Sequence, residues 1–356
     1  MSTKKIIFTG GGTAGHVTPN IALIKKFKEN GWSVFYIGSN KGIEKELISS
    51  INIPFFAIAN GKLRRYFSWQ NFIDPFKILF GILQAVFLCL KLKPNVIFSK
   101  GGFVSFPVVF AGWLCRIPVV VHESDFSPGL ANKLAFPFVK KICITFAETA
   151  KYLKNKSKIV LTGTPIRSEF FSGNKDRARK MCGFSGDKKI ILVYGGSLGS
   201  EVINQAIREL LPLLLDKFHI VHVCGKNKID LNYSYPGYKQ FEYLQEEFPD
   251  VMAFADFVIS RSGANSIYEL LVLQKPHILI PLGIRSSRGD QIENAKHFAS
   301  LGYSQVIFEE ELNKENLLKK IEYVDQHRDE IVNSLASFNK KNSVEEIYTV
   351  INALTS

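Results

Sequence analysis

Four glycine-bearing loops in this chain each follow a short apolar run and precede a segment of helical character. They lie in Ile6–Gly15 (IIFTGGGTAG), Val96–Pro107 (VIFSKGGFVSFP), Ile190–Gly199 (IILVYGGSLG) and Phe257–Ser266 (FVISRSGANS). A strand that enters such a loop and continues into a helix presents backbone N–H groups and the positive end of the helix dipole, which suits phosphate. Two segments fall in each half, so we predict a nucleotide ligand and a cleft between two Rossmann-like halves.

The first loop, Gly10–Gly15, formally matches the dinucleotide pattern G-x-G-x-x-G. An NAD enzyme also needs an acidic residue at the end of its second strand to hold the ribose. Here that strand ends in Tyr36–Asn40 (YIGSN) without a carboxylate, which argues against NAD. His16 directly follows the loop, where a helix N-terminus would keep its imidazole neutral. It is therefore a candidate general base, with capping or packing as the alternative.

Polar residues follow the apolar strand Val119–Val121, at the strand end that faces the ligand in a parallel sheet. They read His122–Asp125 (HESD), which is not a zinc motif because H-E-x-x-H is absent. Glu123 is a candidate for bonding the N–H groups of a neighbouring loop. Asn132, on the next predicted helix, suits a sugar or peptide ligand, and a surface asparagine is the alternative.

In the second half, Arg261–Ser266 opens a predicted helix that carries Glu269 one turn further on. We expect Ser262 or Asn265 to cap this helix, whose free N–H groups suit a phosphate. Glu269 suits two ribose hydroxyls or, alternatively, compensation of the helix dipole. Gln291 suits sugar hydroxyls. No D-x-D triplet occurs, so we predict that backbone dipoles and arginine, rather than a metal, stabilise the leaving group.

Strands that alternate with helices must position these residues, and this alternation predicts parallel sheets built from βαβ units. The predicted strands are Ile6–Thr9, Ser33–Ile37, Val96–Ser99, Val119–His122, Lys141–Thr145, Ile190–Tyr194, Ile220–Cys224, Phe257–Ser260 and His277–Ile280. The predicted helices are His16–Asn30, Gly42–Ser50, Pro128–Ala135, Glu201–Leu215, Asn265–Leu273 and Gln291–Leu301. A break near Thr162–Pro165 (TGTP) gives domains 1–163 and 164–356. We expect the last helices, from Lys314 to Leu354, to pack back onto the first domain.

Charge is divided unevenly between these two predicted domains. Residues 1–163 hold 22 lysines and arginines against 7 acidic residues, a net of +15, whereas residues 164–356 have a net of −2. The first domain is therefore expected to face an anionic partner, with nucleic acid and anionic lipid as the two candidates. The five cysteines lack metal-ligand spacing and no secretory signal is seen, which is typical of a cytosolic protein.

An aromatic stripe at helical spacing follows three cations in the first domain. The cations are Lys62, Arg64 and Arg65, and the stripe is Trp69, Phe72, Phe76 and Phe80. Aromatic side chains beside cations favour an interfacial membrane patch, and a core helix is the alternative. The apolar run that follows, Ile82–Leu92, is predicted to lie in the core because it is too short to span a bilayer.

Taken together, the motifs of this chain resemble the bacterial N-acetylglucosaminyltransferases that make lipid II in peptidoglycan synthesis. In the family's order they are GGGTAGHVTPN, SKGGFVSFP, HESDFSPGLANK, TGTPIR, GGSLGS, SRSGANSIYEL and RGDQIENA, from Gly10 to Ala295. The resemblance implies an α/β protein of two Rossmann-like parallel-sheet domains facing across a cleft, the GT-B fold. The N-terminal domain would bind the acceptor and the membrane, and the C-terminal domain would bind the UDP-sugar.

The implied reaction is the inverting transfer of N-acetylglucosamine from UDP-N-acetylglucosamine to the 4-hydroxyl of MurNAc in undecaprenyl-pyrophosphoryl-MurNAc-pentapeptide (lipid I). The resemblance implies neither a metal nor another cofactor and no nucleic-acid partner. It implies peripheral attachment to the cytoplasmic face of the cell membrane. The expected partners are the two substrates, anionic lipids of the inner leaflet and cell-wall synthesis proteins.

The resemblance also assigns roles to individual residues. His16 is the catalytic candidate, as base or as a group that positions the acceptor. Donor-binding residues are Thr13, Ala14, Gly15, Arg167, Ser197, Leu244, Ala264, Asn265, Ser266, Glu269 and Gln291. Acceptor-binding residues are Gly12, Gly102, Phe103, His122, Glu123, Asp125 and Asn132. The chain departs from the family pattern at Ala14, where glycine is common, and at Leu198 and Asp290, where many relatives carry glutamine.

Three other functions stay open at this point. A related glycosyltransferase acting on diacylglycerol would share the fold and the logic of the site. A nicotinamide oxidoreductase is opposed by the missing ribose carboxylate. A nucleotide-binding protein without catalytic activity is the third alternative.

Overall fold

The structure is a computed structural model that describes residues 3–61, 70–196, 198–284, 289–338 and 343–355, without the side chains of 70–73. The chain forms two compact units. Unit 1 is Met1–Arg167 together with Lys341–Ser356, and unit 2 is Ser168–Lys340. The first unit thus extends four residues beyond the break predicted after Gly163. It also includes the C-terminal segment Lys341–Ser356.

Unit 1 is built on a parallel sheet of seven strands in the order β3-β2-β1-β4-β5-β6-β7. The strands are β1 Lys5–Thr9, β2 Ser33–Ser39, β3 Phe55–Ile58, β4 Val96–Ser99, β5 Val119–Glu123, β6 Lys141–Ile144 and β7 Ile159–Leu161. The described helices are α1 Thr18–Glu29, α2 Ile43–Ser49, α3 Gln70–Leu92, α4 Ser105–Leu114, α5 Leu130–Ala135 and α13 Ser343–Ala353. Every residue of β4 and β5 is buried, because helices cover both faces of the sheet.

Unit 2 is built on a second parallel sheet, in the order β10-β9-β8-β11-β12-β13. Its strands are β8 Lys189–Tyr194, β9 Phe218–Val223, β10 Tyr238–Phe241, β11 Phe257–Ser260, β12 His277–Leu279 and β13 Gln305–Val306. Its described helices are α6 Lys175–Cys182, α7 Glu201–Leu214, α8 Phe248–Phe254, α9 Ala264–Val272, α10 Asp290–Ser300, α11 Lys314–Gln326 and α12 Arg328–Ala336. Six 3-10 turns complete the described chain: Ala14–His16, Phe136–Phe138, Ala147–Tyr152, Lys156–Lys158, Ser168–Phe171 and Glu309–Glu311.

The predicted α/β class with two parallel sheets is confirmed, and both sheets have the same strand order around their centre. In each sheet the first strand of the unit lies between the second and the fourth, so the order in which strands are added switches from one side of the first strand to the other. Ligands of open parallel sheets bind outside the carboxyl ends of the strands at such a switch point. The ligand is therefore expected at the loops after β1 and β4 in unit 1 and at the loops after β8 and β11 in unit 2.

The last helix, α13, packs against α1 and completes the core of unit 1. Ile347 and Ile351 are fully buried in a cluster with Phe27. Lys26 pairs with Glu345 at 2.6 Å. Of the helices between Lys314 and Leu354, α13 is thereby part of the first unit, whereas α11 and α12 belong to unit 2.

Helix α3 runs without interruption from Gln70 to Leu92, which includes Phe72, Phe76 and Phe80 of the aromatic stripe and the apolar segment that follows. Its exposed large apolar side chains are Phe76, Leu79, Phe80, Leu83, Phe87 and Leu90, and Ala85, Leu88 and Cys89 are buried on its other side. The prediction that Ile82–Leu92 is core is therefore wrong for one face of the helix. Lys62, Arg64, Arg65 and Trp69 lie outside the described residues, as does the side chain of Phe72.

By length and composition, Asp74–Leu92 is long and apolar enough to cross a membrane, and 28% of it is buried in the protein. A groove of about 500 Å³ runs along the same helix. It is lined by Phe55, Phe56, Ala57, Phe80, Leu83, Gln84, Phe87 and Leu88. Unit 1 thus exposes a continuous apolar face, a feature that marks interaction surfaces in proteins.

Candidate active site

In unit 1 the loops after β1 and β4 cross in direct contact. The Gly11 N–H donates to the Gly101 carbonyl at 3.3 Å. A Cβ on Gly102, whose φ is +88°, would lie 2.1 Å from the Gly11 oxygen, and one on Gly12 would lie 2.5 Å from the Phe103 ring. The structure therefore brings the predicted acceptor residues Gly12, Gly102 and Phe103 together, and the glycines are required by this crossing.

A carboxylate of unit 1 accepts a hydrogen bond from the backbone of the first glycine loop. Glu44 of α2 is fully buried, and it accepts hydrogen bonds from the Gly12 N–H at 3.2 Å and from the Ser39 N–H at 3.0 Å. The Ser39 hydroxyl donates to the same carboxylate. The expectation that this loop offers free N–H groups to a phosphate is therefore wrong at Gly12. Sequence reasoning missed Glu44 because its role depends on the fold of α2 beneath the loop.

His16 lies in the 3-10 turn Ala14–His16, and α1 begins only at Thr18. It is thus not the first residue of a helix, contrary to the prediction. The half-buried His16 acts through space on His122 and contributes to lowering the pKa of that ring. Thr13 is exposed and the other two predicted donor residues of this segment, Ala14 and Gly15, are half-buried in the same unit.

At the end of β5, Glu123 holds the loop that follows it, as the sequence suggested. Its buried carboxylate accepts from the N–H groups of Asp125 at 2.9 Å and Gly129 at 3.1 Å, and from Asn132 Nδ2 at 2.9 Å. Burial raises its pKa, and these three donors oppose that shift. The Asn132 Oδ1 atom is buried without a hydrogen-bond partner among the described residues. It is therefore available to accept a hydrogen bond from a ligand.

His122 is fully buried between Lys100 and the Gly163 carbonyl. Its Nδ1 lies 2.7 Å from Lys100 Nζ, and its Nε2 lies 2.8 Å from the Gly163 oxygen. Burial and the Lys100 charge hold its pKa well below the usual range. Because the side-chain polar atoms of His122 and Glu123 are all bonded to the protein itself, we assign these two residues to positioning rather than to contact with a ligand. Asp125, which follows them, is half-buried at the surface.

In unit 2 the loops after β8 and β11 are joined by one arginine. The buried Arg261 donates through Nη2 to Ser200 Oγ at 2.7 Å and to Glu309 Oε1 at 2.6 Å. Its Nη1 donates to the carbonyl oxygens of Ile280 and Pro281 at 3.1 and 3.2 Å. Arg261 therefore fixes three loops at the carboxyl edge of the sheet. The sequence places it in a motif but does not indicate this role.

Helix α9 carries most of the predicted donor residues. It begins at Ala264 after Gly263, and no side chain caps it, so the expected cap by Ser262 or Asn265 is wrong. Ser262 instead donates to the Gln291 carbonyl at 2.9 Å, and Gln291 Oε1 accepts from the Leu282 N–H at 3.1 Å.

The loop after β8 lies beside the first turns of α9. Burial raises the pKa of the Tyr194 phenol, and the charge of Glu269 raises it further, while the neighbouring Ser266 side chain opposes the shift. Because Tyr194 ends β8, the structure places Ser266 and Glu269 next to the loop that begins at Gly195. Asn265 is half-buried and Ala264 is buried in the same turn.

Three loop glycines of unit 2 face open space. An added Cβ on Gly196, Gly263 or Gly289 would meet no atom within 4 Å in the described part of the chain. A ligand can therefore approach the backbone closely at these three loops. The remaining predicted donor residues lie elsewhere: Arg167 is half-buried at the end of unit 1, Leu244 is buried after β10, and Ser197 lies outside the described residues.

Among the residues that the structure describes, no group of three or more histidine, cysteine, aspartate or glutamate side chains is placed to hold a metal ion. The five cysteines, which all lie in described segments, are free thiols.

Each of the two Rossmann-type units gathers its loops at the switch point of a parallel sheet, which is where proteins of this architecture bind nucleotides. The chain matches the glycosyltransferase family 28 N-terminal domain over residues 6–144 and the glycosyltransferase family 28 C-terminal domain over residues 190–351. It therefore belongs to glycosyltransferase family 28.

The chain is 54% identical over 350 residues to a protein of Legionella pneumophila (strain Paris), with 98% of this chain and 96% of the relative covered. It is 55% identical over 352 residues to a protein of Clostridium botulinum (strain Alaska E43 / Type E3), covering 99% and 98%. Both relatives are named UDP-N-acetylglucosamine–N-acetylmuramyl-(pentapeptide) pyrophosphoryl-undecaprenol N-acetylglucosamine transferase.

Solved structures share the fold. MurG of Acinetobacter baumannii superposes with a TM-score of 0.76 at 22% identity, covering 99% of this chain and 100% of that one. UDP-GlcNAc 2-epimerase from Neisseria meningitidis, bound to UDP-GlcNAc, gives 0.68 at 14% identity with both chains fully covered. These likenesses establish the GT-B-like arrangement of strands and helices within the units.

Proposed function

We propose that this protein transfers N-acetylglucosamine from UDP-N-acetylglucosamine to the 4-hydroxyl of MurNAc in lipid I, with inversion at the anomeric carbon. The observation that carries the proposal is the 54% identity, over 98% of the chain, to a transferase named for this reaction. Matches to both domains of one glycosyltransferase family support it.

The donor is assigned to the open loops of unit 2. The uncapped start of α9 at Ala264 offers backbone N–H groups to a phosphate. The Glu269 carboxylate accepts hydrogen bonds from two ribose hydroxyls. Gln291, Asn265 and Ser266 contact the sugar and the nucleotide. Gly196 and Gly263 leave room for this close approach. The assignment of Ser197, Leu244, Arg167 and the segment Thr13–Gly15 to the donor rests on the family resemblance.

The acceptor is assigned to the crossed loops of unit 1. Asn132 Oδ1, which is buried without a partner in the described chain, accepts a hydrogen bond from a hydroxyl or N–H group of the acceptor. His16 takes the proton of the 4-hydroxyl as this oxygen attacks the anomeric carbon from the side opposite UDP. Backbone N–H groups and Arg167 stabilise the negative charge on the departing UDP, and the reaction needs no metal ion.

Peripheral attachment to the cytoplasmic face of the membrane is assigned to α3. Phe76, Leu83 and Phe87 are 74%, 59% and 64% exposed on one face of this helix. The net charge of +15 over residues 1–163 attracts anionic lipids of the inner leaflet. Attachment places the enzyme at the surface where its lipid acceptor lies. The same membrane surface carries the other cell-wall synthesis proteins that we propose as partners.

The proposal is tested by transfer of radiolabelled N-acetylglucosamine from UDP to a short-chain analogue of lipid I, with diacylglycerol as the rival acceptor. We expect label in the lipid I analogue alone. Transfer to diacylglycerol, or no transfer by folded protein, would overturn the proposal.

The donor site is tested by Glu269→Ala, with Glu330→Ala, an exposed carboxylate of the same unit, as the control. Loss of two charge-assisted hydrogen bonds to the ribose should weaken UDP binding by roughly 1.5–3 kcal/mol. Calorimetry with UDP measures this directly. Equal UDP affinity in the two variants would refute the assignment of Glu269.

A further inference from the structure

The Glu44 carboxylate lies in a cage of glycine backbone beneath the first loop of unit 1. A Cβ on Gly11 would lie 2.5 Å from its Oε1 atom, and a Cβ on Gly38 would lie 2.9 Å from its Cγ atom. A Cβ on Gly42 would overlap its Oε2 atom. The side chain is fully buried. Glycines from two segments of the chain therefore leave room for this one carboxylate.

Both oxygens of the Glu44 carboxylate accept hydrogen bonds from the groups around it. Oε1 accepts from the Ser39 N–H at 3.0 Å and from the Ser39 hydroxyl, and Oε2 accepts from the Gly12 N–H at 3.2 Å. Backbone N–H groups in the loop after the first strand are the donors that a ligand phosphate takes in Rossmann-type proteins. The carboxylate therefore receives a hydrogen bond that this loop would otherwise offer to a phosphate.

Other N–H groups of the same loop are also used within the protein. The Gly11 N–H donates to the Gly101 carbonyl at 3.3 Å, and the N–H groups of His16 and Val17 donate within their own turn at 3.1 and 2.9 Å. With Gly12, four donors between residues 11 and 17 are satisfied internally. A diphosphate at this loop would lack these donors and would meet the negative charge of the buried carboxylate, which repels it.

The loop nevertheless lies directly against His16, the proposed base. A Cβ on Gly10 would lie 2.7 Å from the His16 carbonyl oxygen, and the Tyr36 hydroxyl fixes the Gly10 carbonyl at 2.7 Å. In the proposed reaction His16 reaches the 4-hydroxyl of the acceptor sugar. The diphosphate of the acceptor is carried at the opposite end of that sugar ring. An uncharged part of the substrate is therefore the group expected beside this loop.

We propose that Glu44 is a specificity-determining residue: its carboxylate is a built-in anion that takes the place of a phosphate at the first glycine loop. The loop then accepts uncharged sugar groups, and the diphosphates of the donor and of the acceptor bind elsewhere. The inference rests on the proposed function for the identity of the substrates. The exclusion of anions is a property of the loop itself and is tested without the reaction.

The probe is inorganic pyrophosphate, titrated by calorimetry into the full-length protein with just enough UDP to fill the nucleotide site. The variants are Glu44→Ala, which empties the cage, and Glu46→Ala, which removes an exposed carboxylate of the same helix. The freed donors should give charge-assisted hydrogen bonds, so Glu44→Ala should bind pyrophosphate about tenfold or more tightly than the wild type. Glu46→Ala should bind it as the wild type does, and this variant controls for the change in net charge.

A merely structural role of Glu44 would lower stability in Glu44→Ala without any gain of pyrophosphate binding. Equal pyrophosphate affinity in Glu44→Ala and the wild type would therefore overturn the inference. An equal gain in Glu44→Ala and Glu46→Ala would overturn it as well, because net charge alone would then explain the binding.

A second measurement uses only the wild-type protein and does not depend on the variant folding. Hydrogen exchange of the backbone over residues 10–16 is followed by mass spectrometry with UDP present, with and without pyrophosphate. A diphosphate bound to these N–H groups would slow their exchange, so we expect equal exchange in the two conditions. Slower exchange with pyrophosphate would overturn the inference. If the wild type transfers no sugar, the proposed function fails while both binding measurements still decide the role of Glu44.

Discussion

The two units share one strand order yet fill the space at their switch points in different ways. In unit 1 the loop glycines are packed against the protein itself, since a Cβ on Gly11 would lie 2.5 Å from the Glu44 carboxylate. In unit 2 a Cβ on Gly263 would meet no atom within 4 Å of the described chain. The same glycine-rich signal therefore has two physical causes: internal packing, as at Gly11 and also at Gly195 and Gly199 of unit 2, and open space beside the backbone, as at Gly196 and Gly263.

The charges that hold the loops differ as well. Unit 1 uses the buried carboxylates Glu44 and Glu123, which bind backbone N–H groups, and the charge of Lys100 acts on Glu123 through space. Unit 2 uses the Arg261–Glu309 pair, in which the arginine binds backbone carbonyls. The first arrangement occupies N–H groups of the glycine loops, and the second leaves the start of α9 uncapped. This contrast fits an acceptor site in unit 1 and a phosphate site in unit 2.

The largest expected effect that distinguishes the two units is on membrane binding, which we assign to unit 1 alone. Phe76→Ser combined with Phe87→Ser removes two exposed rings of α3. Each phenylalanine buried in the membrane contributes about 1.5–3 kcal/mol, so the pair should lower vesicle affinity by roughly 100-fold or more. Flotation with vesicles of anionic lipid measures this, and a thermal melt should stay nearly unchanged.

The matched control is Leu213→Ser combined with Leu231→Ser, which removes two exposed apolar side chains of unit 2. This control should bind vesicles as the wild type does. If both pairs lose binding equally, the membrane surface is not confined to unit 1. A collapsed melt for the Phe76 and Phe87 pair would assign α3 to the core.

The next effect separates catalysis in unit 1 from donor binding in unit 2. His16→Ala should lower turnover by about 100-fold or more because a general base is lost. Calorimetric UDP affinity should hardly change, since the proposed ribose and phosphate contacts lie on α9. A variant with nearly normal turnover would leave His16 as a packing residue, and a large loss of UDP affinity would place His16 at the donor.

A smaller effect concerns stability and tests the packed loops of unit 1. Gly11→Ala forces a methyl group against the buried Glu44 carboxylate, and such overpacking typically costs 1–3 kcal/mol. Chemical unfolding should show this loss. A variant as stable as the wild type would mean that the first loop tolerates a side chain and that its glycines serve a ligand after all.

The smallest effect tests the open loops of unit 2. Gly263 has φ −65° and ψ 140°, which alanine adopts freely, so Gly263→Ala should leave the unfolding free energy unchanged. Its methyl group would enter the space assigned to the donor and should weaken UDP binding by about tenfold, or 1.4 kcal/mol. Wild-type UDP affinity in this variant would remove the contrast with Gly11.

The central strands of both sheets were predictable because they are continuous apolar runs. Four strands escaped prediction, namely β3, β7, β10 and β13, and each lies at an edge of its sheet. Edge strands are half-exposed, as the pattern of β3 and β10 shows, so they lack the apolar signal of a buried strand. The exposed side chains of α3 within Ile82–Leu92 escaped prediction for the opposite reason, because composition does not tell an apolar surface from an apolar core.

The candidate site was predictable where a residue acts within its own motif. Glu123 binds the N–H groups of the loop that follows it, within a few residues of the end of β5. Glu44 and Lys100 were not predictable, because their partners come from other strands and helices that only the folded sheet brings together. Residues that support a site from beneath have no local pattern in the sequence.

The packing of α13 against α1 has a consequence for the order in which the two units fold during synthesis. Ile347 and Ile351 complete a core whose other members include Phe27 and Trp32, near the opposite end of the chain. A ribosome makes the N-terminal part first, and domains generally fold in that order. Unit 1 cannot close its core until the last helix has been synthesised, so unit 2 can finish folding while the first unit still exposes the apolar side of α1. The apolar side of α1 therefore stays uncovered in the nascent chain until α13 has been made.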